Sequence, residues 1–218
     1  MENLIPSLKK SIFDSNTDLV IDLAEINMDN ILDYSKNDIL KDIPIVKTLY
    51  SIGKTTYSIY NRYLLKKTLV FLKEFKDGHI SQETLIAYKT TLENNPQRCE
   101  EELGRVLVYL NNYTDEEKSK WLARVYISYL NKRITNEQFL EYSEIINRLF
   151  VQDISILKKI YTNEITRNSN IVESYKLDRL ASLGLIRNWQ EGVLLVEETP
   201  EDMMENYGKI FTRIILNI

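Results

Sequence analysis

Residues 41–75 read KDIPIVKTLYSIGKTTYSIYNRYLLKKTLVFLKEF, and this stretch decides the fold. Pro44 disfavours helix at Ile43 but suits the first turn of a helix that begins there. Behind it Val46, Leu49, Tyr50, Gly53, Tyr57, Tyr60, Leu64, Leu65, Leu69 and Leu72 recur at intervals of three and four. That spacing lays one apolar stripe along a helix of about seven turns. The stretch predicts a central helix ending at Asp77-Gly78, with shorter helices packed around it.

The flanks have the same character. Upstream, Leu19, Val20, Leu23, Ala24, Ile26, Ile31 and Leu32 predict one or two short helices behind a cap at Thr17 or Asp18. Downstream, Ser81 caps a helix to Asn94, and Asn94-Asn95-Pro96 stops it. Leu103, Val106, Leu107 and Leu110 predict a helix over 100–110. Thr114-Asp115-Glu116-Glu117 and Thr135-Asn136-Glu137-Gln138 have the form of capping boxes that open two more. The turn-cap-helix pattern at 78–88 recurs at 132–142, but this grammar arises wherever a helix must start. Past Ile154, helices at 154–165 and 171–183 are followed by two short strands, Gly184-Leu185-Ile186 and Gly192 to Glu197, and by Gly208-Lys209-Ile210-Phe211. The expected architecture is mainly α: an acidic arm of short helices (1–42), a multi-helix bundle (43–153), and a small C-terminal module (154–218) carrying a two-stranded β-hairpin.

Composition bounds the function. With 218 residues, 44% hydrophobic and 28% charged, the chain is long enough for a real core. Six Gly and four Pro are few for a fold of many short strands. One cysteine, Cys99, excludes an internal disulfide, and with the single histidine, His79, leaves no cluster of zinc-binding spacing. A reducing, cytoplasmic setting follows, and neither a signal peptide nor an apolar run long enough to span a membrane is found. The net charge is −4, which argues against broad neutralisation of phosphates. It is unevenly placed: residues 1–42 carry −5, and residues 43–80 carry +5.

No motif indicates catalysis, so the chain is read as not an enzyme, with no cofactor and no metal. Gly53-Lys54-Thr55 ends like a phosphate-binding loop, but the first glycine of that motif would fall at Thr48. Asp18, Asp22, Glu25, Asp29 and Asp33 read as a solvated acidic face. His79 reads as a turn residue, and Cys99, among Arg98, Glu100 and Glu101, has acidic neighbours that do not activate a thiol. Two places carry candidate partner-binding residues. Tyr57, Arg62, Lys66 and Lys67 form a basic, aromatic face on the central helix, although core is the first reading of a helix that also carries Leu64, Leu65 and Leu69. Trp189, Val193 and Leu195 lie in the expected hairpin, where a large aromatic is exposed unless something covers it.

Residues 154–218, in the order helix, helix, LASLGLI, hairpin and GKIF, resemble a winged-helix module. The expected recognition helix sets Lys176 and Arg179 against Glu173 and Asp178, and the module holds more acids than bases, so protein contact or self-association is favoured over duplex DNA. More widely, the 41–75 stretch, YLNKRITNEQFLEYSEIINRLF (129–150) and LASLGLI (180–186) resemble an uncharacterised group of bacterial helical proteins carried on prophages and mobile elements. That resemblance implies a cytoplasmic bacterial or phage protein acting in phage–host conflict, and it brings no catalytic residues with it. The expected function is therefore non-catalytic binding of a protein partner or a second copy. A DNA-binding regulator is the alternative and an enzyme of unrecognised type the third.

Overall fold

The computed structural model describes residues 4–13, 40, 42–53, 59–165, 172–187 and 203–218. Among them the chain is helical, with ten α-helices, one short 3-10 helix and no strand. It divides into two compact units, Met1–Thr135 and Asn136–Ile218. The helix after Thr135 thus belongs with the C-terminal residues, although the sequence grouping had placed it in the bundle of 43–153.

The first unit is built from α1 (Leu4–Phe13), α2 (Pro44–Gly53), α3 (Ile59–Asp77), α4 (Gln82–Asn94), α5 (Pro96–Asn112) and α6 (Glu116–Leu130). The expected central helix is described in two parts, α2 and α3, and residues 54–58 with Tyr57 lie outside the described residues. The two parts touch each other, and α3 lies along α6 as the main pairing, while α1 packs on α2, α3 and α5. The stripe points inward where it is described: Val46, Leu49, Leu64, Leu65, Leu69 and Leu72 are buried. Removing a leucine of this kind from water is worth about 2 kcal/mol, and Ile45, Val70, Phe71 and Phe75 of the same helices are buried beside them. The rings of Phe71, Phe75 and Tyr126, with centroids 5.9–6.2 Å apart, fill the α3–α6 seam.

Local signals set the ends of these helices. Ser81 caps α4 by accepting from the Thr84 amide at 3.1 Å. Asn95 caps α5 through the Arg98 amide at 3.0 Å, so Pro96 begins the next helix four residues earlier than the Leu103 stripe indicated. At Asp115 the expected capping box does not form; the Thr114 hydroxyl instead donates to the Asp115 carboxylate at 3.0 Å. The C-terminal turn of α5 is closed from outside: Lys67 of α3 sends its buried ammonium to the carbonyls of Asn111 (3.1 Å) and Tyr113 (2.5 Å).

The second unit holds α7 (Asn136–Arg148), a 3-10 turn (Val151–Asp153), α8 (Ile154–Tyr161), α9 (Ser174–Ser182) and α10 (Asn206–Leu216). Its core gathers Phe139, Tyr142, Ile146, Leu157, Leu177, Leu180, Phe211 and Ile215. The Tyr142 ring lies 4.9 Å from that of Tyr207 and 5.2 Å from that of Phe211.

Here the sequence expectation needs correction. Gly184-Leu185-Ile186 is not a strand: the Leu185 amide donates to the Leu180 carbonyl at 3.2 Å and the Gly184 amide to Ala181 at 2.8 Å. With Gly184 at φ +70, this is the left-handed close of a helix, which glycine adopts without a Cβ penalty. Leu185, at the position where the motif favours an apolar residue, is fully buried. The LGLI run is apolar because it ends a helix against a core. The second expected strand, 192–197, lies outside the described residues, as do Trp189, Val193 and Leu195. On either side of residues 188–202, the Arg187 amide donates to the Met203 carbonyl at 2.9 Å.

Candidate functional site

The second unit presents a polar anchor beneath two exposed rings. Asp153, 1% exposed, sits in the 3-10 turn after α7. It accepts two bonds from Arg179 of α9: Nε to Oδ2 at 2.7 Å and Nη2 to Oδ1 at 2.6 Å. Burying a carboxylate is costly unless it is paired and hydrogen-bonded, and the lateral edge of the guanidinium supplies both. The hydrogen bond to Asp153 in turn raises the Arg179 pKa above its ordinary value, so the arginine stays charged. Its guanidinium carbon lies 4.3 Å from the centre of the Phe150 ring and 5.7 Å from that of Tyr175.

Phe150 is 53% and Tyr175 56% exposed. A pair of large rings left in solvent beside an oriented arginine is the composition found at binding hot spots, where Trp, Tyr and Arg are enriched. The Lys176 ammonium lies 5.7 Å from the centre of the Tyr175 ring and is paired with Glu173 one turn back. Sequence reading had noted Lys176 and Arg179 but missed Phe150, Asp153 and Tyr175. Phe150 follows Leu149, the last residue of its apolar stripe, and so reads as one more core residue. The Asp153–Arg179 bond joins positions 26 apart with no periodic signal between them.

A second cluster lies inside the first unit. Glu102 of α5 accepts from Tyr88 (2.5 Å), Arg98 Nε (2.6 Å) and Tyr129 (3.2 Å). Arg98 also donates to the Tyr129 hydroxyl at 3.1 Å, and the hydroxyls of Tyr88 and Tyr126 are 2.5 Å apart. Because Tyr88 spends its proton on Glu102, Tyr126 is the donor in that last bond, and every donor in the network leads to one carboxylate. Burial, with the nearby Tyr126 and Glu102, pushes the Tyr88 hydroxyl far above the ordinary phenol range, and burial does the same for Tyr126. Such phenols hold their protons at neutral pH and tie α4, α5 and α6 together.

This arrangement gives an alkaline test. A phenol of raised native pKa stabilises the fold fully below its unfolded value of about 10 and loses that contribution as the pH climbs above it, by about 1.4 kcal/mol per unit for each such group. Chemical unfolding between neutral pH and pH about 11.5 should show a fall that begins near 10. Replacing Tyr126 by Phe should flatten the fall; a slope equal to the parent's would show that Tyr126 ionises freely in the native state.

Arg62 of α3 is half-buried. Lys66 pairs with Glu116 at 2.6 Å. Lys67 is buried on the carbonyls named above, and desolvation lowers its pKa. Further along the same helices Arg124 pairs with Glu74 at 2.6 Å and Lys73 with Asp77 at 3.1 Å, so the basic residues of this face are largely matched within the unit. His79 is exposed, and its carbonyl accepts from Asn131 at 2.9 Å. Cys99 is buried, and desolvation raises its thiol pKa. Among the described residues no group of His, Cys, Asp and Glu could hold a metal ion, and no helix is long and apolar enough to cross a membrane. Compared with known proteins, the chain matches no family model, no curated protein and no solved structure.

Proposed function

We propose that this chain is a non-catalytic binding protein that engages a protein partner through its second unit, at the face formed by Phe150, Arg179 and Tyr175. The observation that carries the reading is the exposure of both rings beside an arginine already fixed by a buried aspartate. Fixing the arginine in advance lowers the ordering cost of association. Trp189, Val193 and Leu195, expected from the sequence to contact a partner, lie outside the described residues and belong to the same reading as a second contact element. A role in phage–host conflict rests on the sequence resemblance and guides the choice of cells in which to seek the partner.

The test is capture from native cells by the full chain and by the Phe150→Ala/Tyr175→Ala variant. Hot-spot losses of about 2 kcal/mol correspond to roughly thirtyfold weaker binding, so the specific partner should disappear from the variant's capture. Thermal stability should fall by no more than about 1 kcal/mol, the scale of an exposed cation–π contact. An unchanged set of captured proteins would defeat this assignment of the face.

A further inference from the structure

We infer that the outward edge of Arg179 receives a carboxylate presented by the partner, with Phe150 and Tyr175 as platforms for the apolar side chains beside that carboxylate. The inference rests on the reading of this face as a protein-binding surface and adds what the partner must present.

A guanidinium has five N–H bonds in one plane. Asp153 uses the lateral pair, from Nε and Nη2. The end-on pair, one hydrogen from each terminal nitrogen, meets no acceptor among the described residues. Those two N–H bonds are parallel and match the two oxygens of a carboxylate. The side chain is 28% exposed, so this edge is within reach of a partner. The buried Asp153 and the Phe150 ring at 4.3 Å keep it from turning away.

Charge decides between a protein and a nucleic acid. Residues 136–218 hold thirteen acids against nine bases. The neighbouring Lys176 is paired with Glu173. Binding a polyphosphate draws its affinity from many neutralised phosphates, and this face offers one unmatched fork. A single carboxylate flanked by apolar side chains fits it; a chain of phosphates does not.

The experiment uses the full chain with three probes: acetyl-Trp-Glu-Trp-amide, its glutamine counterpart acetyl-Trp-Gln-Trp-amide, and oligothymidylate. Binding is followed by nuclear magnetic resonance at the Arg179 Nε and at the Phe150 and Tyr175 rings. The glutamate peptide should perturb these signals at millimolar concentration and bind about tenfold more tightly than the glutamine peptide, the difference expected of a charge-assisted bidentate pair. Tyr175→Ala, a change at an exposed ring that spares the Asp153 bond, should weaken both peptides alike. Equal affinity for the two peptides, with both weakened in Tyr175→Ala, would overturn the carboxylate while leaving the face a binding surface. No perturbation by either peptide, or tighter binding of oligothymidylate, would also overturn the inference. The reading of the face itself stands or falls separately, on partner capture by the Phe150→Ala/Tyr175→Ala variant.

Discussion

Leu64→Asp should yield no soluble, folded first unit. Leu64 is buried in α3, the helix that runs along α6. Carrying an unpaired carboxylate into such a seam costs several kcal/mol, a large part of the 5–15 kcal/mol that holds an ordinary domain together. Neutralising the group by protonation still leaves a buried polar atom without an acceptor. The matched control is Ile86→Asp on α4, where the parent side chain is 62% exposed and the change should be close to neutral. Expression level, circular dichroism and urea unfolding separate the two. A cooperatively folded Leu64→Asp protein would mean that the α3 stripe faces solvent and serves binding.

Gly208→Ala should be the most damaging single methyl group in the second unit. A Cβ built at Gly208 of α10 falls 2.0 Å from the Leu185 carbonyl oxygen and 2.9 Å from its carbon, and both are backbone atoms that no rotamer change can clear. Either α10 moves, carrying Phe211 and Ile215 out of their core positions, or the turn after α9 opens. We expect a loss of about 3 kcal/mol or more, at the upper end of what overpacking costs. Gly104→Ala in α5 offers the contrast, because its Cβ would sit at an ordinary 3.5 Å from Ile5 Cδ1 and a helical glycine replaced by alanine gains about 0.5–1 kcal/mol. Melting both variants beside the parent gives opposite signs; equal and small effects would show that α10 has room to yield at Leu185.

These two glycines also show what the sequence could tell. The helices themselves were legible wherever spacing and caps agreed, as at Ser81, at Asn136–Arg148 and along Leu64 to Leu72. Local signals compete poorly with tertiary ones elsewhere. LGLI carries the apolar character of a strand, yet Gly184 in the left-handed region closes a helix there, and only the carbonyl facing Gly208 explains the later glycine. Lys67 reads as part of a basic surface until the carbonyls of Asn111 and Tyr113, more than forty positions away, are seen around it. The candidate site was legible only as two charges, Lys176 and Arg179. Its aspartate and its two rings come together through folding between segments, which no spacing along the chain encodes.

The buried ammonium of Lys67 settles a question that the leucines of α3 leave open. Leu64, Leu65, Leu69 and Leu72 make no directional bond, so they oppose a displacement of α3 by one turn along its neighbours only through lost burial. Displaced that way, Lys67 would leave the two carbonyls at the end of α5, and either Tyr63 or Phe71 would approach them with no ammonium to offer. The stranded charge would then stand in the seam unpaired, a far larger penalty than any exchange of leucines. A single polar side chain thereby fixes the register of a greasy helix, acting as the tooth that lets one alignment engage and makes its neighbours slip.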